Sequence, residues 1–382
     1  IMTKKKKILY IITQGSWGGA QRYIYDLSNN LGMNYKIYVA TGKKNNNDLQ
    51  NKLAKNPNIT FIELKHLIRP INPIHDLMAI REIRKLLKKI KPDVVHLNST
   101  KAGLIGSLAN INKKCKVIYT VHGWVFNEKL SIIKKWLYTF IEKYTAKLKN
   151  KIVVLSKNDL EDGLKIKINK NKLKIIPLGI KSVENKLNKQ QARQKLSEII
   201  KKDFTDNDLI FLTIANFYKT KGLEFLIRSA KEIVKTNPKA NFVIIGDGKQ
   251  KKELTDLIQK SNLQNNIWLT GQIKNAGTLL PSADLFLLTS LKEGLPYVVL
   301  EAINYEIPII ATDVGGISTV ITNKKSGILI PPENVDKITE VVTDYINNPA
   351  TFNSYADNAK NNIANFSLDK MLTETKTLYE II

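Results

Sequence analysis

Apolar and polar positions along this chain follow two rhythms. Short unbroken apolar runs, the signature of strands buried on both faces, alternate with stretches whose apolar residues recur every three or four positions. Residues 7–12 form the first run, and residues 20–31 then place Tyr23, Ile24, Leu27 and Leu31 on one helical face. Further strands are predicted at 37–40, 59–64, 93–97, 117–121, 152–155 and 174–176, with helices at 74–89 and 103–110. Pro177-Leu178-Gly179 then breaks the pattern, as a domain linker does, and residues 182–208 are polar and charged. The alternation restarts with strands at 209–214, 242–245, 267–270, 285–288, 308–312 and 327–330, and helices at 223–235 and 298–305. An amphipathic helix over 368–382 ends it. No solenoid-length repeat and no low-complexity tract is present. Strands alternating with helices predict an α/β protein with parallel sheets, arranged as two Rossmann-like halves with a cleft between them.

Length agrees with two domains, since 382 residues exceed what one core usually serves. The single cysteine, Cys115, rules out a disulfide framework and a thiolate metal site. Net charge changes the picture more. The total is +26, yet residues 1–180 carry 35 Lys and Arg against 11 Asp and Glu, while residues 181–382 carry 25 against 23. A Lys-rich genome would spread its surplus over both halves. A one-sided surplus predicts that the first half meets an anionic partner: a membrane surface, a lipid-linked phosphate or nucleic acid. Lys4 to Lys7 precede an apolar run far too short for a leader, and no run approaches bilayer-spanning length. The expected location is therefore cytoplasmic, with peripheral attachment to the inner face of the membrane as an extension.

One helix in the basic half carries both features. Over residues 130–148, Ile133, Trp136, Leu137, Phe140, Ile141, Tyr144 and Leu148 form a continuous apolar stripe. Lys134, Lys135, Lys143, Lys147 and Lys149 are expected largely off it. Packing of the stripe on the protein's own core is the expected arrangement. Docking at an anionic membrane or acceptor, through Lys134, Lys135, Trp136, Lys143 and Lys147, is the alternative.

Candidate chemistry lies where strands end, because ligands of parallel sheets sit at the carboxyl ends. A loop with Gly15, Gly18 and Gly19 follows the first strand, and glycines let backbone approach phosphate. It lacks the full G-x-G-x-x-G pattern, so a plain strand-to-helix turn accounts for it equally well. His96 and His122 both fall at strand ends. His96 is expected as a satisfied core histidine. His122, followed by Gly123 and Trp124 in a loop, is expected to face the cleft. In the second half, Glu293-Gly294-Leu295-Pro296-Tyr297-Val298-Val299-Leu300-Glu301 links a buried strand to a helix. Glu293 falls on the loop and Glu301 about two turns into the helix. The backbone N–H groups of the helix start suit a phosphate. A carboxylate on each side would accept from hydroxyls, a sugar at one end and a ribose at the other. Two solvated surface carboxylates are the plain alternative.

Taken together these motifs resemble the retaining glycosyltransferases of family 4, which have the GT-B fold. Glu293 to Glu301 matches the family's E-x7-E motif. Gly18-Gly19-Ala20-Gln21-Arg22 is similar to its N-terminal Gly-Gly-Ala-Glu-Arg element, with Gln21 in place of Glu. Asp93-Val94-Val95-His96 with Lys101-Ala102-Gly103 resembles capsule and O-antigen transferases. Lys221-Gly222, Gly246-Asp247-Gly248 and Asp313-Val314-Gly315-Gly316 also match. The resemblance implies an N-terminal acceptor domain over 1–180, a donor domain over 181–365, and a C-terminal helix, 366–382, packing back on the first. It implies that Glu293 and His122 contact the donor sugar near the reaction centre. Gly18, Gly19, Lys221, Gly294, Leu295, Tyr297 and Val298 would hold the donor and its diphosphate, and Glu301 the ribose. The family's usual Arg is Asn216 here, and Lys219 is the candidate substitute for its charge.

The implied reaction moves a sugar from a nucleoside-diphosphate sugar, a UDP-sugar first of all, to a hydroxyl of a glycan or lipid-linked acceptor in surface polysaccharide synthesis. Metal independence is expected. The only Asp-x-Asp spacing, Asp206-Asn207-Asp208, is expected as an exposed turn. A GT-B epimerase is one rival. A nucleic-acid binder using the basic half is another, opposed by the lack of a recognised motif. Nothing in the pattern specifies an oligomeric state.

Overall fold

The computed structural model describes residues 5–43, 48–111, 115–183, 186–205 and 207–382. They form two compact units: Ile1–Leu178 together with Leu368–Ile382, and Gly179–Ser367.

The first unit is built on seven parallel strands: β1 (Lys7–Ile12), β2 (Lys36–Gly42), β3 (Ile59–Leu64), β4 (Val94–Asn98), β5 (Lys116–Val121), β6 (Lys151–Val154) and β7 (Leu173–Ile175), in the order β3-β2-β1-β4-β5-β6-β7. The second holds six: β8 (Leu209–Ile214), β9 (Ala240–Ile245), β10 (Ile267–Gly271), β11 (Leu285–Leu288), β12 (Ile309–Thr312) and β13 (Ile328–Ile330), in the order β10-β9-β8-β11-β12-β13. In each sheet the winding reverses once, between β1 and β4 and between β8 and β11. Loops diverge at such a switch point and open a crevice at the strands' carboxyl ends.

The predicted strands all form, shifted by at most two residues at either end. The central strands are buried and mostly apolar, as strands covered on both faces require, whereas the edge strand β3 exposes Thr60 and Glu63. Leu9, Val95, Val117, Tyr119 and Ile152 share one core, and Phe211, Phe242, Ile244, Leu285 and Leu287 share the other. The polar stretch 182–208 contains a helix, Lys189–Ile200. Asn188 and Gln191 close a capping box at its start, and Ala192 and Leu196 are its two buried residues. Ala192, Leu196 and Ile199 recur at helical spacing, but the charged residues around them mask the element. Asp206 lies outside the described residues. Asp208 is occupied structurally, accepting from Thr205 N–H and Oγ1 at 2.7 Å each.

The C-terminal helix, Leu368–Ile381, belongs to the first unit and inserts Tyr379 into its core. The Tyr379 hydroxyl donates to Tyr10 at 3.0 Å and accepts from His96 Nδ1 at 2.6 Å. His96 Nε2 then accepts from Thr120 Oγ1 at 2.7 Å. This chain ties helix, β1, β4 and β5 together through fully buried groups. His96 is thus a satisfied core histidine. Burial, with His122 nearby, holds its pKa down to about 3, against an ordinary 6.5.

A group whose folded pKa is depressed adds stability above its unfolded pKa and loses it as pH falls toward the folded one. Stability is therefore expected to decline below pH 6.5 and to go on declining toward about 3. His96 alone contributes up to about 1.4 kcal/mol per pH unit in that window. Urea unfolding midpoints between pH 7 and 4 measure this. His96→Gln should flatten the slope, and an unchanged slope would place the acid lability elsewhere.

Candidate active site

Two loops meet at the second unit's switch point. The loop after β8 runs through Asn216 and Phe217 into a 3-10 turn, Lys219–Lys221, and then the helix Leu223–Thr236. Phe217 is fully buried and anchors the loop, its N–H donating to Asp247 O at 2.9 Å. Gly222 has φ 59°, and a Cβ there would lie 2.2 Å from Thr289 O. Only glycine permits this approach of the two loops. Leu291 N–H donates to Thr220 O at 2.8 Å, and Thr289 Oγ1 to Gly222 O at 3.1 Å.

This stitching carries Lys221 to Glu293. Lys221 Nζ and Ser290 Oγ both lie 2.6 Å from Glu293 Oε1. The Glu293 side chain is only 9% exposed, so the pair is partly desolvated and stronger than a surface ion pair. Gly315, φ 58°, presses against Glu293 from the loop after β12, where a Cβ would sit 1.9 Å from Glu293 O. Gly316 N–H donates to Gly294 O at 2.6 Å. Three loops therefore fix Glu293. Of the two lysines on the 3-10 turn, Lys221 reaches the carboxylate and Lys219 is exposed. Asn216 is half-buried upstream, its carbonyl accepting from Tyr218 N–H at 2.8 Å.

The helix after this loop is Tyr297–Asn304, with Pro296 at its N-cap and no side chain capping it. Leu295 and Tyr297 are buried and seat the turn, Val298 is half-buried, and Gly294 is held through its carbonyl. Val299 N–H is already used, donating to Pro296 O at 3.2 Å. Glu301 lies one turn into the helix rather than two, because the helix begins at Tyr297. Its carboxylate faces Gly277, where a Cβ would meet Oε2 at 3.2 Å and Oε1 at 3.4 Å. The segment Ala276–Ser282 was not read from the sequence, and neither was Ser290. A polar residue three positions before Glu293 in the motif loop was the signal available.

In the first unit, the loop after β1 leads through Gly18 into the helix Gly19–Leu31. Gly18 has φ −173°, so its backbone alone does not demand glycine. Thr13 Oγ1 and Ser99 Oγ, 2.8 Å apart, join the ends of β1 and β4. His122 lies half-buried at the end of β5, its ring edge-on to Tyr23 with centroids 5.2 Å apart. Asn98 Nδ2 donates to His96 O at 3.1 Å, which turns Asn98 Oδ1 toward His122 Nε2, 3.1 Å away. Nε2 must then carry the proton, leaving Nδ1 as an acceptor. Burial lowers the His122 pKa to about 4, against an ordinary 6.5, so the ring is neutral near pH 7. Asn98, absent from the sequence reading, sets this tautomer.

The amphipathic helix forms as Ile132–Thr145, but its stripe faces outward. Ile133 is 78% exposed and Trp136 64%. Glu142, Thr145, Ala146 and Lys149 face inward instead. Lys134 and Lys135 are exposed beside the stripe. Lys143 and Lys147 flank Tyr144 at 5.9 and 5.3 Å from its ring rather than lying off the stripe. Among the described residues, no cluster of three or more side chains could hold a metal ion.

Solved structures share this architecture. An Anabaena protein, HepE, in complex with UDP and glucose covers 98% of this chain and 100% of its own, with a TM-score of 0.84 at 18% identity. A Thermosynechococcus elongatus sucrose-phosphate synthase covers 98% of both chains, with a TM-score of 0.84 at 19% identity. The fold is that of the GT-B glycosyltransferases. The chain belongs to the glycosyltransferases: the family model described as Glycosyltransferase Family 4 matches residues 17–182, and that described as Glycosyl transferases group 1 matches residues 194–362. Among relatives, the UDP-Gal:alpha-D-GlcNAc-diphosphoundecaprenol alpha-1,3-galactosyltransferase of Escherichia coli is 29% identical over 82% of this chain and 81% of its own. The capsular polysaccharide biosynthesis glycosyltransferase CapM of Staphylococcus aureus is 26% identical over 83% and 85%.

Proposed function

We propose that this glycosyltransferase is a retaining enzyme that takes its sugar from a UDP-sugar and delivers it to a hydroxyl of a lipid-linked glycan during surface polysaccharide synthesis. The observation that carries the reading is the Lys221–Glu293 pair, 2.6 Å apart, at the second unit's switch point and beside an uncapped helix start. A diphosphate leaving group develops charge that needs a cation and oriented backbone dipoles. Lys221 and the turn at Tyr297 and Val298 supply them. When the diphosphate arrives, Lys221 turns its charge to phosphate, and Glu293 is released to accept from the sugar's hydroxyls. Glu301 holds the ribose, and its contact with Gly277 gives that end a fixed wall. By the family resemblance, His122 accepts a sugar hydroxyl, which its unprotonated Nδ1 suits.

The C1–O bond to phosphate breaks first, its electron pair leaving with the diphosphate. The acceptor oxygen attacks C1 from the same face, and its proton passes to the departing phosphate oxygen. A covalent route would need a carboxylate beneath C1. No carboxylate is assigned that role, and no metal is expected. UDP is favoured by the relatives: the Escherichia coli enzyme is named for UDP-Gal, and the Anabaena structure contains UDP.

A donor screen tests this. Each common UDP-, GDP- and ADP-sugar is mixed with the protein, and thermal stabilisation and slow hydrolysis to the nucleoside diphosphate are recorded. One responding UDP-sugar supports the reading. A sugar product isomerised without acceptor would make the protein an epimerase. Silence toward every donor, with tight binding of DNA or RNA, would overturn it.

A further inference from the structure

We infer that the helix Ile132–Thr145 is a docking surface for anionic lipid bilayers, entering the interface with its N-terminal end. Its outer face is strongly apolar and open to solvent: Ile132 is 88% exposed, and Ile133 and Trp136 follow at 78% and 64%. Trp136, Phe140 and Tyr144 form a continuous aromatic column, with successive centroids 5.4 and 4.2 Å apart. Rings of Trp and Tyr suit the boundary between headgroups and acyl chains, where one edge is wet and the other dry.

Charge selects the occupant. Exposed Lys134, Lys135 and Lys147, with half-buried Lys143, surround the column. Between residues 129 and 151 the one carboxylate, Glu142, is buried against Lys149 at 3.2 Å. The helix thus presents cations outward and keeps its own anion inside, which fits a sheet of acidic headgroups. Position along the helix sets the tilt. The aliphatic pair Ile132 and Ile133 leads, whereas Lys143 and Lys147 close the C-terminal end beside Tyr144. The leading turn enters the acyl boundary and the trailing lysines remain at phosphate level, their stems lying along the apolar surface. No helix among the described residues is long and apolar enough to cross a membrane.

This inference stands on the exposed face and not on the reaction proposed above, so its test is separate. The full chain is sedimented with vesicles of phosphatidylcholine alone and of phosphatidylcholine with phosphatidylglycerol, at low and high salt. Wild type is expected to bind the anionic vesicles at least tenfold more tightly, and less so in high salt. Lipids brominated near the headgroup should quench its tryptophan fluorescence. Ile133→Asp combined with Trp136→Ser should remove at least nine-tenths of the binding, and Lys134→Glu with Lys135→Glu should abolish the preference for acidic lipid. Because all four side chains are exposed, the melting temperature and hydrolysis of a soluble donor should stay at wild-type values. No binding to anionic vesicles, or binding unchanged when Ile133→Asp and Trp136→Ser are combined, overturns the inference. So does a stable dimer in solution that the same pair of substitutions dissociates, which would show that a second copy covers the face.

Discussion

Lys221→Ala should lower kcat/KM for the responding donor by about 100- to 1,000-fold, the usual cost of removing one group that stabilises charge in a transition state. In the proposed role this removes the ammonium at the diphosphate, and Glu293 keeps Ser290 as its remaining neighbour from the pair of contacts at Oε1. Glu293→Gln should cost a comparable factor, because an amide still accepts from hydroxyls yet no longer holds Lys221 in place. The informative result is the combination. Groups that satisfy each other in the unliganded protein act as a unit, so the double variant should lose far less than the product of the two factors. Lys221→Arg should recover only part of the activity. A forked guanidinium cannot replace a point charge seated 2.6 Å from one carboxylate oxygen. Steady-state kinetics settle the matter, and a Lys221→Ala enzyme with full turnover would end the assignment of this site.

The second large effect is on stability. Lys149→Met should destabilise the first unit by about 3–5 kcal/mol, because breaking a buried ion pair strands its partner. Lys149 is buried, reaches Glu142 at 3.2 Å and Thr145 at 3.1 Å, and lies 4.0 Å above the Tyr119 ring. Tyr119 donates its hydroxyl to Glu142 at 3.0 Å. Burial lowers the Lys149 pKa while Glu142 pulls it back up. Replacing both members together, Lys149→Met with Glu142→Leu, should recover most of the loss, since no charge is then left unpaired. Chemical denaturation of the wild type and the two variants measures this. Equal losses in single and double variants would show that packing volume matters here and the ion pair does not.

That buried pair also explains the sharpest departure from the sequence reading. The helical period of the apolar stripe was legible over residues 130–148, and the helix forms there. Its direction was not legible. A pattern argument turns the apolar side inward, yet here Glu142 and Lys149 satisfy each other in the interior and the stripe faces out. The strands were legible because each is a local apolar run bounded by breakers. The motif carboxylates were legible for the same reason, as neighbours within one loop and helix. Their partners were not, because Lys221 and Glu293 are 72 residues apart and His96 and Tyr379 are 283 apart. Periodicity does not register such distances. Resemblance placed Lys221 on phosphate and Glu293 on sugar separately, and the fold adds that they hold each other beforehand. Asn98 and Ser290 were missed because a single polar residue at a strand end resembles any turn.

The C-terminal helix has a bearing on how the protein is made. A chain leaves the ribosome from its first residue onward, and domains commonly fold in that order. Here the first unit's core needs Tyr379, whose hydroxyl satisfies both His96 and Tyr10. Nascent residues 5–178 therefore lack the side chain that fills this part of the folded core until Gly179–Ser367 has been translated. The unit that begins first is completed last. At an elongation rate of about 5–20 residues per second, the wait is on the order of ten to forty seconds. During it, the basic first unit is without the helix Leu368–Ile381 that completes its core.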